Sequence, residues 1–468
     1  MAGTGICDNS FPLDVQKIHL IAIGGSAMHN MALALHEKGY KVSGSDDEIN
    51  EPSKSRLAKA GLLPAEIGWF PEKITPDTNA VILGMHARAD NPELQKAKEL
   101  GLKIYSYPEY IYEATKDKTR IVVGGSHGKT TITAMILHVM RFFNIETDFL
   151  VGAQLEGFDT MVNLSSTSKY AVIEGDEYLS SPIDRRPKFH LYRPNIAILS
   201  GIAWDHINVF PTFGIYVDQF KTFINLVEPG GCLIYCREDE VLDQICAETR
   251  NKTINKMSYS VPKHTIEDGI TYILSEGEKI PLLIFGNHNL MNLNAARLAC
   301  VQIGIEPRKF YEAIRSFKGA AKRLELVHKE GSFSFYKDFA HSPSKLRATT
   351  EAVKKQFTDR RVVACMELHT FSSLNQDFLQ QYRGTMQLPD EAIVYFNPQV
   401  IAHKKIEEIR VEQVKDAFAR QDLRIFINSQ DLTDYLRSKK WNQSVLLMMS
   451  SGTFDGVDFK ALAEDLKL

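Results

Sequence analysis

Gly124-Gly125-Ser126-His127-Gly128-Lys129-Thr130-Thr131 is the stretch on which the fold turns. The apolar run Ile121 to Val123 before it reads as a strand. Ile132 to Phe143 after it holds no Gly or Pro and reads as a helix. Strand, glycine turn, Lys-Thr and helix make the phosphate-cradling P-loop arrangement. Its glycines let the backbone come close to an anion and aim N–H groups at it. The helix start adds the positive end of a dipole. Lys129 can reach β- and γ-phosphates, and the Thr130 hydroxyl can ligate Mg²⁺. The alternative is a plain strand–helix turn with a solvated lysine. Lys-Thr-Thr at the helix start favours binding of a nucleoside triphosphate.

Working toward the N-terminus, Ile18 to Ile23 reads as another strand. Gly24-Gly25-Ser26 follows it, then a helix through Met28, Leu33 and Leu35 to Lys38, with Gly39 as its stop. Lys41 to Gly44 and Ala80 to Leu83 read as further strands. This βαβ pattern predicts a parallel sheet with ligand chemistry at the strand C-termini. Asp46 lies where a ribose-binding acid could sit. However, Gly24-Gly25-Ser26-Ala27-Met28-His29 lacks the third glycine of G-x-G-x-x-G, so a different diphosphate ligand is the better expectation than NAD. The polar stretch Glu113 to Lys118 reads as a linker into the P-loop domain.

Toward the C-terminus, Glu174-Gly175-Asp176-Glu177 follows the strand Ala171 to Ile173 and suits a Mg²⁺ site beside a triphosphate, with Glu174 as the best ligand. Asp205-His206 follows the strand Ile196 to Leu199. His206 is either a second metal ligand or a structural histidine. His288, Asn289 and Asn292 open a helix, and the two asparagines fall on one helical face. Lys322-Arg323 marks a second boundary near Gly319 to Glu325, and Arg323 can return a cation toward the phosphates. Tyr336 to Pro343 follows a strand and ends in a turn, and its Asp338 and His341 are candidates for contact with ribose or phosphate. Phe333 to Phe335, Val362 to Ala364, Ala392 to Tyr395 and Val445 to Met448 read as strands.

The bulk properties fit a soluble intracellular chain. The 468 residues leave room for roughly three domains at ~150 residues each. Hydrophobic content of 44% and charged content of 24% are those of a soluble globular chain. A net charge of −3 gives no support to a nucleic-acid partner. No apolar run approaches the ~20 residues that span a membrane. The start of the chain, before the first strand, lacks a signal-peptide pattern and reads as a loose extension. Cys7, Cys232, Cys236, Cys246, Cys300 and Cys365 form no CxxC pair, which fits thiols in a reducing compartment, the cytoplasm.

Taken in order, these pieces resemble the Mur ligases, ATP-dependent enzymes that join amino acids or peptides to UDP-N-acetylmuramic acid. The likeness runs from Ile18 to Asp458. The lysine of the family's G-T-H-G-K-T-T falls on Lys129, with Ser126 where threonine is usual. Its metal-binding glutamate falls on Glu174, its D-H histidine on His206, and its paired asparagines on Asn289 and Asn292. Its arginine falls on Arg323, and its aspartate before A-H-x-P on Asp338. Glu174 to Tyr178, Asp184-Arg185-Arg186-Pro187-Lys188-Phe189 and Met449 to Phe454 are most similar to the branch that recycles tripeptide. The nearest alternative is the branch that adds L-alanine. A non-ligase P-loop switch is a more distant one.

The resemblance implies an α/β fold in three domains. A Rossmann-like domain (1–117) would hold the UDP-sugar through Gly24, Gly25, Ser26 and Asp46. A P-loop ATPase-like domain (118–322) would bind ATP and Mg²⁺ through Gly125 to Thr131. A Rossmann-like domain (323–468) would close over ATP and the peptide. The expected catalytic residues are Lys129, Glu174, His206, Asn292 and Arg323. His288, Asn289, Asp338 and His341 would contact the nucleotide, and Thr130, Glu174 and His206 the metal. Arg185, Arg186 and Lys188 would meet the carboxylates of L-Ala-γ-D-Glu-meso-diaminopimelate; the alternative is that they solvate the loop or pair with Asp184. The expected assembly is a monomer or weak homodimer. The branch's E-P-R-S-N-T segment reads Glu367-Leu368-His369-Thr370 here, so its arginine is missing. Lys221 lies where some members carry a carbamoylated lysine.

Overall fold

A computed structural model describes residues 16–155, 157–204, 209–320, 323–403 and 407–466. The N-terminal extension with Cys7, the Asp205-His206 pair, and Lys322 lie outside these. The described chain divides into two compact units. One comprises the residues up to 127 together with 145–233 and 244–256. The other comprises 128–144, 234–243 and 257 onward.

The first sheet has four parallel strands in the order β2-β1-β3-β4: β1 (Lys17–Ile21), β2 (Lys41–Ser45), β3 (Ala80–Leu83) and β4 (Ile104–Ser106). Ile18, His19, Leu20 and Ile21 are all buried, as expected of a central strand covered on both faces. Helices α1 (Ser26–Glu37), α2 (Ser53–Lys59), α3 (Pro92–Glu99) and α4 (Tyr107–Thr115) complete this region. Because β1 sits between β2 and β3, the turn after β1 lies at a topological switch point, where open α/β sheets form a ligand crevice. Gly39 ends α1 at φ +89°, as its position predicts. The expected linker differs. Glu113, Ala114 and Thr115 belong to α4, which starts from a Ser106/Glu109 capping box. That cap fixes a helix despite the polar composition of its last turn.

The second sheet runs β11-β10-β9-β5-β8-β6-β7. Its strands are β5 (Thr119–Gly124), β6 (Thr147–Leu150), β7 (Val162–Asn163), β8 (Tyr170–Glu174), β9 (Ile196–Leu199), β10 (Cys232–Cys236) and β11 (Asn255–Tyr259). β5 is flanked by parallel β8 and β9, with Val123 opposite Glu174. The helices in this stretch of the chain are α5 (Lys129–Phe142), α6 (Phe213–Asn225), α7 (Glu240–Glu248), α8 (Asn287–Gln302) and α9 (Pro307–Ile314). α5 packs on α8 and α9. A small antiparallel sheet, β12 (His264–Glu267), β13 (Ile270–Ser275) and β14 (Glu278–Leu282), precedes α8.

The last sheet runs β15-β16-β20-β17-β18-β19: β15 (Glu325–Glu330), β16 (Phe333–Asp338), β17 (Arg361–Glu367), β18 (Glu391–Tyr395), β19 (Arg424–Phe426) and β20 (Ser444–Met449). β15 is antiparallel to β16 and the others are parallel. Helices α10 (Pro343–Gln356), α11 (Gln376–Leu379), α12 (Pro398–His403) and α13 (Val411–Phe418) follow β16 to β18. Leu346, Leu379 and Val414 place α10, α11 and α13 on one core. The chain then crosses back through α14 (Ser429–Arg437) to β20 and on to α15 (Phe459–Asp465). Leu432, Leu436 and Leu462 pack these two helices on the opposite core. Among the described residues no helix is long and apolar enough to cross a membrane. Cys232, Cys236, Cys246, Cys300 and Cys365 are all buried.

Candidate active site

The P-loop closes on backbone conformations that only glycine adopts easily. Gly125 has φ +122° and Gly128, the N-cap of α5, has φ +73°. A Cβ on Gly125 would overlap Ser200 Oγ, and one on Gly128 would overlap Asn292 Oδ1. Asn292, buried on α8, therefore lies against the Gly128 backbone. Ser200 Oγ donates to His127 O and clamps the loop from β9. Lys129 and Thr130 are half-buried at the first turn of α5, and Thr131 is buried.

Ser126 braces the loop from inside. Its N–H donates to Gly201 O at 3.0 Å. Its buried hydroxyl accepts from Ala203 N at 2.8 Å and lies 2.9 Å from the Tyr216 hydroxyl. Tyr216 in turn donates to Glu177 Oε1 at 3.0 Å. Glu174 ends β8 next to Val123, and its Oε2 accepts Gly152 N–H at 2.9 Å. A side chain at 152 would strike this carboxylate, so Gly152 and Glu174 are matched in size.

In the first sheet, Gly24 N donates to Asp46 Oδ2 at 2.6 Å, and Glu48 N approaches Oδ1 at 3.4 Å. Asp46 is buried, and burial raises its carboxyl pKa against the pull of these backbone bonds. Asp46 thus holds the Gly24 turn open. Gly25 caps α1, and Ser26 begins it with Oγ 3.7 Å from Met161 Sδ. Asn30 Oδ1 accepts Met161 N at 2.9 Å, so α1 is docked on the segment before β7.

The basic stretch after Glu174 forms a built hairpin. Leu179 bridges Pro187, and Ser180 N donates to Arg186 O at 3.0 Å. Arg186 Nε lies 3.0 Å from both Asp184 oxygens, and Nη2 reaches Asp184 at 2.6 Å and Glu109 at 3.4 Å. Lys188 Nζ donates to Asp176 Oδ2 at 2.5 Å and lies 5.7 Å from the Tyr107 and Tyr178 ring centres. Burial alone would lower the lysine's pKa, but Tyr107 and Asp176 outweigh it and hold the ammonium charged. Two of the three expected carboxylate binders are therefore paired within the protein. Arg185 is exposed and pairs with none of the described residues.

In the second unit, His288 and Asn289 open α8 near Arg323 and Asp338. Burial chiefly lowers the His288 pKa and Arg323 adds to this, while Asp338 opposes it. Asn289 Nδ2 donates to Phe285 O at 3.0 Å. The Arg323 guanidinium stacks 4.7 Å from the Phe339 ring. Asp338 accepts from Leu324 N at 2.6 Å, Ala340 N at 2.7 Å and Thr349 Oγ1 at 3.2 Å. His341 Nδ1 donates to Phe339 O at 2.8 Å. Lys221 lies on α6, half-exposed, with Nζ 3.0 Å from Asp218.

The chain is similar to known proteins in sequence and fold. Residues 17–119 match the model "Mur ligase family, catalytic domain" and residues 123–300 match "Mur ligase middle domain". A UDP-N-acetylmuramate–L-alanine ligase of Caldicellulosiruptor bescii is 30% identical over 395 residues, covering 81% of this chain and 83% of that protein. The chain belongs to the Mur ligase family. A UDP-N-acetylmuramate–L-alanyl-γ-D-glutamyl-meso-2,6-diaminoheptandioate ligase of Haemophilus influenzae is 26% identical over 468 residues, covering 97% of this chain and all of that protein. The crystal structure of Thermotoga maritima MurC shares the fold at a TM-score of 0.67 and 19% identity, covering 94% of this chain and 96% of its own.

As a Mur ligase, this chain has a three-domain α/β fold and is an ATP-dependent, amide-bond-forming ligase of peptidoglycan synthesis. Several residues of the site carry no motif in the sequence. Ser200, Gly152 and Tyr216 have no such mark, because a serine after a strand, a lone glycine or a helical tyrosine gains meaning only when the fold sets it beside His127, Glu174 or Ser126.

Proposed function

We propose that this Mur ligase joins L-Ala-γ-D-Glu-meso-diaminopimelate to UDP-N-acetylmuramate in the cytoplasm, in recycling of cell-wall peptide, as a monomer or weak homodimer. The observation that carries the ATP part is the glycine cradle with Lys129 at its helix start. The muramate carboxylate attacks the γ-phosphate of ATP, giving an acyl phosphate that the peptide amine then opens. Lys129 and Arg323 offset negative charge on the transferring phosphate, and Asn292 holds the loop against it. Residues 1–117 hold the UDP-sugar at the Gly24-Gly25-Ser26 turn braced by Asp46. Residues 118–322 carry the P-loop, and 323–468 carry Asp338 and His341 toward the nucleotide.

The Thr130 hydroxyl and the Glu174 carboxylate are hard oxygen donors that suit Mg²⁺, with His206 as a further ligand. Among the described residues no group of three or more His, Cys, Asp or Glu forms a metal cage, and Mg²⁺ ordinarily keeps waters and phosphate oxygens. Bound there, Mg²⁺ supplies neutralisation of phosphate charge. Glu174→Gln is expected to raise the Mg²⁺ concentration needed for half-maximal rate by about tenfold, the order expected when one ion–ligand contact is weakened. UDP-N-acetylmuramate affinity should stay unchanged. Titrating Mg²⁺ against rate, and the UDP-sugar by calorimetry, checks both. Lost sugar affinity with an unchanged Mg²⁺ response would remove Glu174 from the metal.

Support for a peptide acceptor is the hairpin 179–187, which presents the exposed Arg185. One charge-assisted bond to a peptide carboxylate contributes about 1.5–3 kcal/mol, so the tripeptide should exceed free L-alanine in kcat/KM by at least about tenfold. The second reading is L-alanine addition, favoured by the 30%-identical relative of that name. Measuring kcat/KM for both amines separates the two. A clear preference for L-alanine would overturn the recycling assignment.

A further inference from the structure

The last sheet holds a histidine and a carboxylate that the reading above leaves unused. The chain follows one core through α10, α11 and α13, then crosses back through α14 to insert β20 between β16 and β17. The loop after β17 therefore leads to α11 on one face, and the loop after β20 leads to α15 on the other. That divergence marks a topological switch point, where open α/β sheets take ligands at the strand C-termini.

Glu367 ends β17 in this crevice and is buried. Its Oε2 accepts from the Ser450 hydroxyl and from Phe454 N–H, the latter at 2.9 Å. Its Oε1 lies 3.7 Å from Nδ1 of His369, whose side chain is 36% exposed. Gly452, in the loop after β20, packs so closely that a Cβ would come within 2.8 Å of both Glu367 Oε2 and the His369 ring. The Ser451 hydroxyl at the same turn is buried without a hydrogen-bond partner among the described residues. A buried, anchored carboxylate thus faces a partly exposed imidazole, and a glycine keeps the two together.

The geometry points to His369 as the proton acceptor for the incoming amine, with Glu367 as the residue that positions it; this rests on the ligase reading above. A peptide amine is largely an ammonium ion at neutral pH and cannot attack until it loses a proton. In this assignment the Glu367 carboxylate, 3.7 Å from Nδ1, favours the tautomer with its proton on that nitrogen, which leaves Nε2 to accept. The ammonium gives one proton to Nε2. The nitrogen lone pair then forms the C–N bond as the acyl C–O bond breaks, and phosphate departs with that electron pair. The second nitrogen proton passes to phosphate, and His369 returns its proton to solvent. Glu367-Leu368-His369-Thr370, which departs from the family pattern at its missing arginine, thereby has a role of its own.

The test compares two nucleophiles at one neutral pH. With the peptide as acceptor, His369→Gln should lower kcat by about 100-fold, within the range for a lost general base. With hydroxylamine, which is already neutral at that pH, hydroxamate formation from UDP-N-acetylmuramate and ATP should match wild type. Glu367→Gln should lower kcat for the peptide by about tenfold at unchanged KM, again sparing hydroxylamine. Melting curves exclude misfolding of either variant, and Gln keeps much of the imidazole volume beside Gly452. Near-normal peptide ligation by His369→Gln would overturn the assignment, as would a parallel fall with both nucleophiles. If wild type forms neither hydroxamate nor amide, the ligase reading itself fails and the assignment with it.

Discussion

Lys129→Ala is expected to lower ligation by about 1,000-fold, equivalent to about 4 kcal/mol of transition-state stabilisation. Lys129 starts α5 immediately after the left-handed Gly128, the place in a P-loop from which a lysine reaches the transferring phosphate. Charge on a transferring phosphoryl group is offset by fixed cations rather than by covalent chemistry. Even one neutral donor at such a place is worth about 100- to 1,000-fold. Folding should hardly change, because the side chain is half-buried and the α5 core lies further along, at Ile132, Met135 and Ile136. The decisive measurements are amide formation with saturating ATP, UDP-N-acetylmuramate and peptide, and a thermal melt. Turnover within about threefold of wild type would remove the P-loop from the mechanism, since a lost phosphate contact costs far more.

The second large effect is expected at Gly128. Gly128→Ala places a Cβ on a residue at φ +73° and drives it into Asn292 Oδ1. The left-handed conformation alone costs an L-residue about 1–2 kcal/mol. Asn292 sits on α8, whose buried Leu290, Leu293 and Ala296 leave it little room to retreat. The loop must therefore yield, and a shift of about 1 Å at a reacting centre can cost roughly 100-fold in rate. The variant should lose at least that much activity while its melting temperature falls by only a few degrees, because the strain is local. Removing the obstructing amide in Gly128→Ala/Asn292→Ala would relieve the overlap but not the φ penalty, so melting stability should recover only in part. Full activity in the single variant would mean that the loop relaxes without consequence for phosphate.

Much of this organisation is legible in the sequence. Ala80–Leu83 and Ile196–Leu199 form strands with the expected limits because continuous apolar runs bounded by polar residues leave few alternatives. The glycine turns after β1 and β5 also stand out, since a strand followed by Gly-Gly and then a helix has few uses. Local polarity misleads at Glu113 to Thr115, where a cap seven residues earlier at Ser106 outweighs composition. The hairpin basic residues show a deeper limit. Sequence reveals that Arg186 and Lys188 are cations and offers Asp184 as a partner, but only folding shows Asp184 on Arg186 and Asp176 on Lys188. Glu367 and His369 are visible as a departure from a pattern, yet their relation to Ser450 and Gly452 depends on β20 inserting beside β17 from 83 residues away.

The hydrogen bonds behind the P-loop also have a direction. Tyr216 spends its only hydroxyl proton on Glu177, so the bond between Ser126 and Tyr216 must be given by Ser126. Ala203 N–H already donates to the same serine oxygen. The four groups therefore form a relay of fixed polarity running from backbone amide to carboxylate, with the Ser126 proton aimed inward. A serine in a phosphate loop would ordinarily be credited with gripping the anion. Here that proton is committed to Tyr216, so the phosphate contacts proposed for the loop would come from main-chain amides and Lys129 rather than from this hydroxyl.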